Sequence, residues 1–126
     1  MFRFVLALLA AAFLAAPAAA QVQRNFPQNA LRGAIVIGEA PEIVLNGRPA
    51  RLAPGARIRD QNNMSVVPMA VQGGPFLVNY TFDTLGLVKD VWILRPEEAG
   101  VRPWPTTPEE AQAWSFDPVA QVWTEP

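Results

Sequence analysis

Between Leu31 and Leu94, apolar residues recur mainly at every second position, in short runs broken by Gly, Pro, Asn and Asp. That is the period of a strand. "LRGAIVIG" sets Ile35 and Ile37 on one face. "EIVLNGRPARL" carries Asn46-Gly47 at its centre, the pair suited to a type I′ hairpin turn because both central positions need positive φ. Pro49 lacks an N–H, which predicts an edge for the returning strand. "APG" at 53–55 predicts another turn, after which "ARIRD" turns Arg57 and Arg59 one way and Ile58 the other. "DQNN" reads as a loop, "MSVVPMAV" as a further strand interrupted by Pro68, and "QGGP" as the turn that ends it.

The clearest segment is "LVNYTFDTLGLVKDVWIL", Leu77 to Leu94. Val78, Tyr80 and Phe82 alternate with Asn79, Thr81 and Asp83, which predicts a half-buried strand. "DTLG" supplies the turn, with Gly86 suited to a left-handed position. The return places Val88, Trp92 and Leu94 on one face and Val91 and Ile93 on the other, so this strand should be packed on two sides. Six or seven short strands spaced about 8 to 12 residues apart predict an all-β domain, a small SH3-like or OB-like barrel or a sandwich. The lack of a helical segment within 31–95 argues against a standard OB topology.

Beyond Leu94 the composition changes. Residues 95–126 hold six prolines and three of the four tryptophans. "TPEEAQAW" has the signals of a short helix: Thr107 as N-cap, Pro108 at the first position and Glu110 closing a capping box. "RPEEAG" reads as one turn stopped by Gly100, and the rest as extended or loop-like chain.

At the other end, Arg3 precedes an apolar run from Phe4 to Ala16, and small residues lead up to Gln21. This is the pattern of a signal peptide over 1–20, cut after Ala20; Pro17 and the Ala-rich content disfavour a membrane span. The organisation read from sequence is thus a signal peptide (1–20), a lead-in (21–30), a β-barrel domain (31–95) and a Pro/Trp-rich extension (96–126). The mature chain is expected to be periplasmic or secreted, and not membrane-spanning.

Charge adds one point. Without Arg3 the net charge is −2, but residues 21–60 carry +3 and residues 61–126 carry −5. Such polarity predicts either an internal charge match or two unlike surfaces. Cysteine and histidine are both absent, which removes disulfides, thiol nucleophiles, the usual general base and the commonest transition-metal ligands. Ser65, Ser115 and Lys89 fall on separate elements. Glu97-Glu98 and Glu109-Glu110 sit at helix starts, where carboxylates complement the dipole, and lack the spacing of a calcium loop. Asp83 and Asp90 flank a turn on a body with little room for a cleft. "NMS" and "NYT" match the glycosylation sequon, the second within a strand. No cofactor motif is present, and a non-enzymatic protein is expected.

Two surface features remain as candidate partner-binding sites. One is the arginine set Arg48, Arg51, Arg57 and Arg59, read as lying on adjacent strands and fit for an acidic protein face or an anionic envelope component; nucleic acid is disfavoured by export and the acidic pI. The other is the set Trp104, Trp114 and Trp123, with Phe116, which either docks on the barrel or anchors a partner. A rival reading is a small-ligand or glycan binder with Tyr80 and Trp92 as exposed stacking surfaces. In "NFPQNALRG", "LNGRPARLAPGARIR" and "VNYTFDTLGLVKDVWIL" the chain resembles a group of small exported proteins of Gram-negative bacteria. That resemblance covers much of positions 25–94 and implies periplasmic placement and a single β-domain; it brings no catalytic or binding residue with it.

Overall fold

The computed structural model describes residues 23–126; the signal peptide expected over 1–20, with its expected cut after Ala20, lies outside the described residues. Six strands form the body: β1 (Leu31–Ile37), β2 (Glu42–Leu45), β3 (Arg48–Arg59), β4 (Ser65–Val66), β5 (Gly73–Phe82) and β6 (Val88–Ile93). The tail contributes two helical turns, α1 (Pro96–Ala99) and α2 (Pro108–Ala113), and a hairpin of β7 (Ser115–Asp117) and β8 (Val122–Thr124). β1 pairs with β2 and β5, β5 with β6, β6 with β3, and β3 with β2, closing a five-stranded ring. Every pair in the ring is antiparallel except β3–β6. This closed all-β architecture is an OB-like barrel. No α-helix was expected within 31–95 and none forms there: β4 and a 3₁₀ turn at Pro68–Val71 make the connection from β3 to β5.

The inside is filled by alternate residues: Leu31, Ile35 and Ile37 from β1, Ile43 and Leu45 from β2, Leu52 and Ile58 from β3, Val78 and Tyr80 from β5, and Val88, Val91 and Ile93 from β6. The β2–β3 hairpin turns at Asn46 and Gly47, with φ of 53° and 79°. Pro49 lies where β3 is paired on one side only, since the β6 pairing begins at Leu52.

Four local expectations are corrected. "APG" is not a turn between two strands: β3 runs on through a register shift between Leu52 and Arg57, so the arginines share one long bent strand. "MSVVPMAV" yields only the two residues of β4 before Pro68 opens the 3₁₀ turn. "QGGP" begins β5 and does not end a strand; Gly74, at φ 113°, lies so close to β1 that an added Cβ would stand 2.6 Å from the Ile35 carbonyl oxygen. In β6, Thr81 pairs with Asp90 and Phe82 with Val88, so Lys89 is an extra residue. That bulge brings Val88 to the inner face with Val91 and Ile93, leaving Trp92 outside.

The outward side of β6 is covered by a second core. Phe26, Ala30, Trp92, Leu94, Trp104 and Trp123 pack together, with Trp114 and Phe116 against them. The rings meet mostly edge to face, Phe26 at 5.5 Å from Trp92 and 5.7 Å from Trp104, while Phe116 stacks on Trp123 at 4.6 Å. Aromatic pairs favour these offset and edge-on geometries because of the ring quadrupole. Trp104 Nε1 donates to the Ala30 carbonyl (3.0 Å), and the Gln121 side chain bonds both the N–H and the C=O of Phe26. Asn79 and Thr81, expected on a half-exposed face, are buried: Asn79 accepts from Arg32, which also bonds the tail, and Thr81 bonds Asp90.

Two substitutions test this packing by urea unfolding. Trp123→Ala should cost about 3–5 kcal/mol, as for a ring lost from a close-packed core; a cost near zero would mean that the tail is not part of the cooperative unit. Gly74→Ala should cost about 1–3 kcal/mol through the forced separation of β5 from β1.

Candidate functional site

Several arginines are committed to structure. Arg24, from the lead-in, donates Nε to Glu98 Oε2 (2.9 Å) and Nη2 to Glu98 Oε1, while its remaining donors reach the carbonyls of Asp60 and Ile93 at 2.8 Å. Arg95 donates its backbone N–H to Glu98 Oε1 (2.9 Å) and its Nη2 to Oε2 (3.1 Å). Glu98, third residue of α1, thus closes a capping box and holds two guanidinium groups. Burial alone would push its carboxyl pKa up; the Arg24 hydrogen bonds, the Arg95 N–H and the two positive charges outweigh this and hold it below the ordinary value.

Arg32, on β1, is buried with its guanidinium 4.9 Å from the Trp104 ring and donates to Asn79 Oδ1 and to the carbonyls of Glu98, Ala99 and Val101. Its pKa is lowered to about 10, chiefly by burial and then by Arg102; it remains charged at neutral pH and ties β1 to the tail.

The candidate arginines divide into two groups. Arg51 and Arg57 are exposed on the outer side of β3, while Arg48, opposite the core residue Leu45, is exposed at the end of the β2–β3 hairpin. Arg51 faces Glu42 at 3.3 Å, with both side chains more than 60% exposed, a pairing worth little in water. Among the described residues Arg48 and Arg57 enter no ion pair. Arg59 stands apart. It is half-buried, 5.4 Å from the Trp92 ring beside which the β3–β6 register places it, and 3.6 Å from Asp90.

Arg59 lines a cleft of about 520 Å³ with Gln23, Arg24, Asn25, Asn62, Asn63, Trp92 and Arg95. The lead-in forms one wall and the loop after β3 another. Asp60 shapes that loop by accepting the N–H groups of Asn62 and Met64 at 2.9 and 3.0 Å. Sequence reading missed this cleft, because Gln23–Asn25 carries no pattern of its own. The one available signal was the opposite charge of the two halves: Arg24 pairs with Glu98, and Arg59 with Asp90.

The tryptophan candidates have a different fate. Trp104 and Trp123 are 6% and 2% exposed and Trp114 is half-buried, so the first two are core residues and not surface anchors. The stacking surfaces of the rival reading are also enclosed: Tyr80 is 2% and Trp92 9% exposed. The acids have local partners. Asp83 accepts the N–H groups of Leu85 and Leu87, Asp90 bonds Thr81, and Glu110 bonds Thr106 and the N-cap Thr107. Among the described residues no three acidic side chains converge to hold a metal, and no helix is long and apolar enough to cross a membrane. Asn79 of the second sequon is fully buried. No protein-family model matches the chain, and neither a curated protein nor a solved structure does so.

The Glu98 clasp carries a pH signature. Because its folded pKa lies below the ordinary 4.5, its contribution is complete above that value and is lost as pH falls through the lowered one. Glu98→Gln should cost about 3 kcal/mol at neutral pH, the scale for breaking a buried pair, and should flatten the acid loss of stability. Urea midpoints measured from about pH 7 down to about pH 3 read both effects; equal acid sensitivity in the two proteins would remove Glu98 as its source.

Proposed function

We propose that the chain is an exported, non-enzymatic binding module of the bacterial envelope, which meets an acidic partner surface through Arg48, Arg51 and Arg57. The observation that carries this reading is the position of these arginines. Arg51 and Arg57 stand exposed on the outside of β3 and Arg48 at the exposed end of the β2–β3 hairpin, whereas the tail covers the outside of the barrel around Arg32, Asn79 and Trp92. In OB-like barrels the face of the second and third strands is the common recognition surface, a support that rests on fold analogy alone. The physical support is independent of it: among the described residues two of the three guanidinium groups have no carboxylate partner, so an acidic surface would neutralise them with little to displace. Unlike the buried tryptophans, these side chains need no rearrangement to reach a partner. An acidic protein face or an anionic envelope polymer fits this chemistry.

The test is affinity capture from the native envelope with the wild-type protein and with Arg48→Glu/Arg57→Glu. The reading predicts that a partner crosslinked by the wild type at low salt is lost from the variant, and that association slows by about tenfold or more, as for electrostatically steered pairs. The same partner captured equally by both proteins, independent of salt, would refute it.

A further inference from the structure

Arg59 differs in kind from every other buried or half-buried arginine of the structure. Arg24 and Arg32 have their donors on carboxylate, carbonyl or amide oxygens, and Arg95 is clasped by Glu98. Among the described residues no protein group accepts a hydrogen bond from Arg59. Its one carboxylate neighbour, Asp90, is at 3.6 Å, an ion-pair distance and too long for a hydrogen bond. A guanidinium has five N–H donors in a planar fork matched to an oxyanion. Here the backbone at Arg59 is paired on both edges, with β4 and β6, and the guanidinium lies beside the Trp92 ring and Asp90. A pre-positioned fork loses less freedom on binding than one on a mobile side chain.

The surroundings specify what kind of anion would fit. Four primary amides, Gln23, Asn25, Asn62 and Asn63, line the same cleft. Each presents both donors and an acceptor, which is the complement of neighbouring hydroxyl groups, whereas a bare inorganic anion would use the donors alone. The charges of Arg24 and Arg95 are already opposed by Glu98 and Glu97. The charge of Arg59 is opposed by Asp90, so the cleft is a polar recess, not a strongly positive funnel, with one guanidinium that donates no hydrogen bond to a described residue. Its volume of about 520 Å³ falls in the usual range for a small-molecule site.

We infer that this cleft binds an acidic sugar, with the sugar's carboxylate on the Arg59 guanidinium and its hydroxyls on the amides of Asn62, Asn63, Asn25 and Gln23. This site is separate from the exposed arginines proposed above to meet an acidic partner. Charge reversal at Arg48 and Arg57 leaves its first contacts intact, so either idea can fail without the other. Asp90 then acts as the internal competitor that the ligand carboxylate displaces from Arg59.

The test uses the purified protein and three probes, glucuronate, glucose and acetate, followed by NMR at the Arg59 side-chain N–H and the Trp92 indole N–H. Glucuronate should give saturable shifts at both, with glucose and acetate each at least about tenfold weaker, as expected when a charged or polar part of the recognition is missing. Arg59→Gln should abolish the preference for glucuronate over glucose. Asn62→Ala, on the exposed rim, should weaken glucuronate severalfold without altering the fold. Asp90→Asn should tighten it severalfold, a sign opposite to that of general damage. No saturable shift with glucuronate, acetate binding as well as glucuronate, or Asp90→Asn weakening the affinity would each overturn the proposal.

Discussion

Val91 and Ile93 point into the barrel, while Trp92 and the adjoining Leu94 point out of it. An indole of this size cannot be left in water without forfeiting a large part of the apolar area it can bury. Strand β6 has to be covered twice, and the second cover comes from both ends of the described chain. Phe26 arrives from the lead-in, Trp104 and Trp123 from the tail, and Gln121 fastens one to the other through the Phe26 backbone. Glu98 locks the arrangement at the exit of β6 by taking hydrogen bonds from Arg24 and Arg95. Buried carboxylates are tolerated only when charge and hydrogen-bond partners are supplied together, and here they are.

This second cover decides what is left for recognition. It encloses the aromatic residues that a Pro-rich tail would otherwise offer to a partner. It also brings oppositely charged halves of the sequence into contact through Arg24–Glu98, as the β3–β6 pairing does within the barrel through Arg59–Asp90. What stays open is the outer side of β3 with its exposed arginines and, where the lead-in crosses the end of that strand, the polar cleft beside Arg59. The lead-in thus has two roles, packing Phe26 below and walling the cleft with Gln23 and Asn25 above.

Features set by neighbouring residues were legible in the sequence. The Asn46-Gly47 turn, the alternation through Val78 and Tyr80, the two-sided packing of β6 and the Thr107 cap each depend on a handful of consecutive positions. Features set by distant partners were not. Pro54-Gly55 looks like a turn, yet β3 continues through it because Leu52 pairs with β6 before the bend and Arg57 after it. Gly73-Gly74 looks like a strand end, yet it opens β5 because only glycine permits that approach to Ile35. The extra residue at Lys89 reverses the facing of Val88, and a single inserted position leaves no trace in a period of two. The Arg24–Glu98 pair spans 74 positions. Of the candidate residues, Arg51 and Arg57 lie on the surface as a polar strand face should and Arg48 at the exposed hairpin end, whereas Arg59 and the tryptophans were assigned to surfaces that the tail and lead-in convert into wall and core.

The central claim is that barrel and tail are one cooperative structure closed around Trp92. Native-state amide hydrogen exchange tests it most directly, by comparing Trp123, in the tail hairpin, with Val78, in the middle of β5. In a single unit both amides exchange only through global unfolding, so their opening free energies agree and fall in parallel as denaturant is added. An opening free energy at Trp123 several kcal/mol below that at Val78, and insensitive to denaturant, would show a tail that detaches while the barrel stays folded and would contradict the account.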